Sequence, residues 1–260
     1  MKFKFAFVLA LAVILFSIPA QARKIIINIE DLKSANVGVQ SETSSEALVR
    51  SFMSDSSGKI FTFEKIADVI QALKEQKIDA AVMDEAPARF FTIEEEGLKV
   101  LSQPVESELY AIAFRKNDSL REKVDNAIEQ LKNNGTLGKI LEKYIGDYPD
   151  PAEIDFNKGK NLPKLWVGCA ASFPPYDMRS ERGFYGIDIE LCAEIAKILN
   201  MELVIADYRF EALFDALDDG KINMICSGLS ITNERVKHFD FSQPYDANQQ
   251  VVVTLSASQK

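Results

Sequence analysis

The chain has 260 residues, 47% of them hydrophobic, with 39 acidic against 30 basic residues and a net charge of −9. That length suits one large domain or two small ones, and the acidic balance argues against nucleic acid and anionic membranes as partners. With one histidine, His238, and three cysteines lacking metal-ligand or redox spacing, no metal, cofactor or catalytic residue is expected.

Residues 1–22 have the form of a secretory signal. Lys2 and Lys4 precede an apolar stretch, Phe5 to Phe16, and Ala20-Gln21-Ala22 is a small-x-small cleavage site. The apolar stretch is too short to span a bilayer and nothing later approaches that length, so no stable membrane insertion is expected. No cysteine follows the cut for lipid attachment, which predicts a free periplasmic protein. Loss of Lys2 and Lys4 takes the net charge to −11.

Lys24 to Ile29 reads as a short apolar strand, and Val37-Gly38-Val39-Gln40 as a second. Thr43 and Glu46 then have capping-box spacing ahead of a helix through Ala47, Leu48 and Phe52. The free amides at Thr43 and Ser44, just beyond the strand end at Gln40, suit an anion; a plain strand-helix turn has the same sequence. Phe63 to Lys77 is an amphipathic helix, with Phe63, Ile66, Val69, Ile70 and Leu73 on one face. Ile78 to Met83 is a buried strand ending at Asp84, a candidate acceptor for an ammonium or a cap for the next helix. Gly97 to Pro104 holds another strand, and Leu109 to Phe114 is β-rich. Two helices follow, one on Leu120, Val124, Ile128 and Leu131 and one on Leu137, Ile140 and Tyr144. Residues 146–161 read as an exposed linker.

A new unit opens with the strand Leu165 to Gly168 and a loop stiffened by Pro174-Pro175, where Phe173 is a candidate ligand wall. A helix over Gly186 to Asn200, a strand over Glu202 to Ile205 and a helix over Phe210 to Asp219 lead to the apolar run Ile222 to Ile225. Ser227-Gly228-Leu229-Ser230 sits at the end of that strand, where open α/β sheets bind ligands. Arg235 follows within reach, and its guanidinium suits a carboxylate. A last strand runs over Val251 to Thr254. Cys169 and Cys226 both lie near strand ends, where a disulfide or buried free thiols fit equally. Alternating strands and helices make the class α/β with mostly parallel sheets.

These residues resemble the family 3 bacterial extracellular solute-binding proteins, the periplasmic amino-acid receptors of ABC importers. The resemblance rests on Phe173-Pro174-Pro175-Tyr176, Gly186-Ile187-Asp188, Ser227 to Arg235 and Phe239 to Tyr245, with Val37 to Gln40 and Ala80 to Glu85 matching the other lobe. It implies two Rossmann-like lobes of the periplasmic binding protein type II class with the ligand clamped between them. It also implies an ABC permease as partner, an amino acid as ligand and a monomer. Arg235, with the amides near Thr43 and Ser44, would take the ligand α-carboxylate. Gly228 (through its carbonyl), Ser230 and Asp84 would take the α-ammonium. Phe173 and Phe210 would flank the side chain, and Gln40 would be a further ligand-binding residue.

The order of parts departs from the family, whose members usually begin with the phenylalanine-proline loop and end on the two terminal helices. Here the second lobe (24–104) and the hinge strand with those helices (105–145) come first. A linker (146–163) and the first lobe (164–255) follow, as in a circular permutant. A single covalent link near Pro104 to Ile112 is then expected between the lobes, with the cut link surviving as pairing of the terminal strands. Ala170 stands where receptors for basic amino acids often carry an acid, and Glu42 where the family usually has glycine. Both favour an uncharged ligand side chain. A periplasmic dehydratase acting on prephenate- or arogenate-like acids and a sensory receptor are the competing functions.

Overall fold

The computed structural model describes residues 24–144, 154–159 and 161–256. The expected signal, 1–22, and half of the expected linker, 146–163, lie outside them. A 3-10 helix, Ile29–Ser34, leads into β1 (Asn36–Gln40), α1 (Ser44–Phe52), β2 (Lys59–Phe63), α2 (Ile66–Lys74), β3 (Ala80–Asp84), α3 (Glu85–Glu94) and β4 (Leu98–Val100). The chain continues through β5 (Glu106–Tyr110), β6 (Ala113–Arg115), α4 (Leu120–Asn133) and α5 (Thr136–Lys143). After the gap come β7 (Lys164–Cys169), β8 (Ser172–Phe173), β9 (Asp177–Ser180), β10 (Gly183–Tyr185), α6 (Ile187–Ile198), β11 (Glu202–Asp207) and α7 (Ala212–Asp218). The last elements are β12 (Met224–Ile225), α8 (Arg235–His238), β13 (Phe239–Phe241) and β14 (Asp246–Leu255).

Two mixed sheets form two lobes; counted along the chain, the first is the lobe expected at 24–104 and the second the lobe expected at 164–255. One has the order β2-β1-β3-β14-β4 with β5 also on β14; the other has the order β11-β7-β12-β6-β13. A small antiparallel sheet, β10-β9-β8, lies beside the second. Side-chain alternation along the strands sorts the cores. In the first lobe Ala81, Met83, Val251 and Val253 pack under α2 and α3, while Val37, Ala80, Val82 and Val252 pack under α1 and the 3-10 helix. In the second lobe Phe114, Leu165, Val167 and Met224 meet α4, α5 and α6, and Ala113 and Ile225 meet α7.

Four sequence expectations are corrected. The sheets are mixed, because β14 and β6 run antiparallel to their neighbours while β1, β2, β3 and β7, β11, β12 run parallel. Lys24 to Ile29 forms no strand. Its amides at Ile27 and Asn28 donate to the Asp31 carboxylate, and Ile25 and Ile27 point to solvent, so it makes no pairing with the terminal strand. Residues 246–255 belong to the sheet of the first lobe, because β14 pairs with β3 from Gln250–Asp84 to Val253–Ala81. The segment 164–255 therefore does not stay in one lobe. It follows that two covalent links join the lobes, β5 to β6 and β13 to β14. They are bound to each other: Ser242 N donates to Ile112 O at 2.9 Å, Tyr245 N to Tyr110 O at 2.9 Å and Ile112 N to Ser242 Oγ at 3.0 Å.

Candidate functional site

The strand ends of both sheets meet at the cleft. Gln40 closes β1, Asp84 closes β3, and Ser227 to Ser230 leave the end of β12. A small cavity lies there, lined by Gln40, Thr43, Ser44, Asp84, Phe173, Phe210, Gly228, Ser230 and Arg235, together with Ala170 and Ser227. All nine residues singled out from the sequence thus border one space.

The loop carrying Gly228 and Ser230 is tied to β5. Ala111 N donates to Leu229 O at 3.0 Å, Ile231 N donates to Leu109 O at 2.9 Å, and Tyr110 and Ser230 form an isolated antiparallel bridge. Gly228 has φ +51, and a Cβ there would come 2.4 Å from the Phe173 ring. Both the left-handed backbone and the seat of the aromatic ring therefore demand glycine. Beneath the loop, Gly228 N donates to the buried Asp188 carboxylate at 2.6 Å.

Arg235 reaches across the cleft. Nη1 donates to Ser230 O at 3.0 Å on its own lobe and Nη2 donates to Glu42 O at 3.1 Å on the other. Its guanidinium lies 5.6 Å from the Phe210 ring centre and 5.4 Å from that of Phe214, a cation–π seat. Burial lowers the Arg235 pKa, and the nearby Glu108 and Asp84 charges oppose that. Glu42 has φ +61, the backbone region that suits glycine, which accounts for the glycine usual in the family. The capping box is displaced: Thr43 Oγ1 accepts from Glu46 N at 3.3 Å, but the Glu46 carboxylate accepts from Glu42 N at 2.7 Å.

Asp84 makes no side-chain cap to α3. Its Oδ1 accepts from Tyr110 Oη at 2.5 Å and from Gln250 Nε2 at 2.8 Å, and Asn248 Nδ2 donates to Tyr110 Oη at 2.7 Å. Burial and then the charge of Glu108 push Asp84 up to about 7, against the Tyr110 bond, which lowers it. Glu108 was absent from the sequence-predicted set. It sits on β5, two residues before Tyr110, so strand periodicity places both on one side. Cys169, Cys192 and Cys226 are buried free thiols, so the Cys169–Cys226 disulfide is not formed. His238 is on the surface beside Glu234. Among the described residues there is no group of three His, Cys, Asp or Glu side chains placed to hold a metal ion, and no helix is long and apolar enough to cross a membrane.

The sequence profile of the bacterial extracellular solute-binding proteins, family 3, matches residues 13–147 and 165–260. The chain belongs to that family. As a member it is a periplasmic protein. Similar proteins include a probable histidine-binding protein of Campylobacter jejuni, 34% identical over 99 residues, 38% of this chain and 39% of that protein. The arginine-binding extracellular protein ArtP of Bacillus subtilis is 30% identical over 95 residues, 36% of this chain and 37% of that one. The chain thus spans less than half the length of these curated relatives. An ancestral arginine-binding protein bound to glutamine shares 40% identity over 32% of this chain and 37% of its own, with a TM-score of 0.31.

Proposed function

We propose that the protein captures an amino acid in the cleft between its sheets and delivers it to the membrane permease of an ABC importer, as a binding protein rather than an enzyme. One observation carries the reading: a cation seated on two aromatic rings and a buried acid from opposite lobes border the same small cavity. A zwitterion answers both, and a ligand carrying only one charge leaves the other buried and unanswered. Arg235 and the first amides of α1 take the carboxylate. Asp84, Ser230 and the Gly228 carbonyl take the ammonium. Phe173, Phe210 and Ala170 leave the remaining wall without a charge, which favours an uncharged ligand side chain. Histidine and arginine are the ligands in the names of the relatives above and belong to those proteins. The chain order is that of a circular permutant, supported by a family match in two blocks and by β14 completing the sheet of the first block.

The test is thermal unfolding of the mature chain, stripped of carried-over ligand by refolding, against the twenty common amino acids. A ligand at ~100 times its Kd adds about 2.7 kcal/mol of stability, a shift of a few degrees. The expected result is a shift with one class of uncharged L-amino acids that Arg235→Ala abolishes. No shift with any amino acid overturns the reading.

A further inference from the structure

Three segments converge on one atom, Oε2 of Glu108. Ser44 Oγ, at the start of α1, donates to it at 2.9 Å, and Gln250 Nε2, on β14, donates at 3.1 Å. Ser230 Oγ, on the loop of the other lobe, makes a still shorter bond to it. Ser44 and Ser230 border the cavity, their hydroxyl oxygens 3.5 Å apart, whereas Glu108 stands behind them.

A serine hydroxyl has one hydrogen and two lone pairs, and it ordinarily rotates to serve whichever partner arrives. A carboxylate offers acceptors only. Both serines therefore commit their hydrogen to Glu108 and turn lone pairs toward the cavity. Gln250 is fixed in the same sense. Its Oε1 accepts from Ser45 Oγ at 2.5 Å, which leaves its amide nitrogen to donate to both acids.

We propose that Glu108 is the specificity-determining residue of the cleft: by holding Ser44 and Ser230 as acceptors, it makes the site select an ammonium over an oxygen at the ligand α-position. The inference rests on the amino-acid reading above. An ammonium brings three donors to these lone pairs. A 2-hydroxy acid brings one and a 2-oxo acid none, so each leaves buried acceptors unmet, the kind of loss by which polar sites discriminate most strongly. Without Glu108 the hydroxyls rotate and donate to a ligand oxygen, and the discrimination shrinks. Glu108 touches the ligand through the serines, so it acts as a positioning residue.

The experiment is calorimetric titration of wild-type protein, Glu108→Ala and Glu108→Gln. Each receives the amino acid giving the largest thermal shift and its matched acids (pyruvate and lactate for alanine, phenylpyruvate and phenyllactate for phenylalanine), with weak ligands read by competition. The expected result is that Glu108→Ala loses about tenfold or more in amino-acid affinity while 2-oxo acid affinity holds or rises. The ratio of the two then falls at least tenfold, and Glu108→Gln, which keeps the volume, moves it less in the same direction. Unfolding of the empty variants checks that they fold. Equal losses for amino acid and oxo acid, or an unchanged ratio in variants that fold, overturn this inference and leave the receptor reading standing. Wild-type protein that takes up no amino acid overturns both.

Discussion

Arg235 and Asp84 belong to opposite lobes, and they are held by different means. Arg235 rests on two aromatic rings, and its guanidinium donates to two backbone carbonyls, Ser230 O and Glu42 O. Asp84 is embedded in side chains, with Tyr110 and Gln250 donating to it and Asn248 donating to Tyr110 in turn. The positive end of the cavity is thus one group on a rigid seat. The negative end is a polarised network in which the acid is only one member. The difference teaches that substitution at Arg235 acts alone, whereas the acidic end is tuned from several positions.

The comparison is broken most severely by Arg235→Ala. Removing one charge from a buried, hydrogen-bonded pair costs about 2–5 kcal/mol of binding, at least about thirtyfold in Kd. Arg235→Lys is expected to recover little, because an ammonium cannot bridge two carbonyls on opposite lobes from the same aromatic seat.

Next in size is the proton on Asp84. Its pKa is about 7 in the folded, empty protein, against 3.8 for a free side chain. A ligand ammonium favours the ionised form, so binding below about pH 7 requires loss of that proton. Affinity is expected to weaken up to about tenfold per unit as pH falls below 7 and to level off above it. Proton release on binding is measured as a buffer-dependent enthalpy. The stability of the empty protein moves the other way: between pH 4 and 7 the unfolded chain has released a proton that the folded chain keeps, so stability falls as pH rises through that window. Asp84→Asn is expected to remove the dependence of affinity and the Asp84 share of the dependence of stability, while the buried Asp177 and Asp188, whose pKa values burial also raises, keep theirs.

Tyr110→Phe sharpens the comparison at the network. Loss of its bond, which lowers the Asp84 pKa, is expected to raise the midpoint of the pH profile above 7 and to leave the Arg235 end untouched. The affinity change is about 1.5–3 kcal/mol, typical of a hydrogen bond to a charged group. The smallest effect belongs to the cross-lobe ion pair outside the cavity, Arg209–Glu64 at 3.1 Å, whose side chains are 59% and 60% exposed. Arg209→Ala is expected to change Kd by less than about fivefold, less still in high salt.

The cavity was legible in the sequence because its lining sits at strand ends, where an apolar run stops and a small or charged residue follows. Asp84 after Ala80 to Met83 and Ser227 after Ile222 to Cys226 are such stops. The network behind the lining was less legible. The last strand was expected only from Val251, yet Asn248 and Gln250 are buried in β14, because their amides serve Tyr110, Asp84 and Glu108. Their polarity hid half a strand, and with it the second link between the lobes. β2 was missed for another reason: Lys59–Phe63 is an edge strand with much of its surface open to solvent, so its pattern carries no alternation. Lys24 to Ile29 erred the opposite way, as an apolar run with no strand to pair with.

The central place of β14 also orders the events of synthesis. β3 is buried along its whole length, and one of its edges is closed by a strand that leaves the ribosome long after it, pairing Met83 with Val251. Until then β1, β2 and β3 present an open, hydrophobic edge, the kind of surface that pairs with other chains. Contacts this distant in sequence close slowly. The first lobe emerges first and is completed last, so its folding waits on nearly the whole chain, and delayed folding is what a protein needs if it must cross a membrane as an unfolded thread.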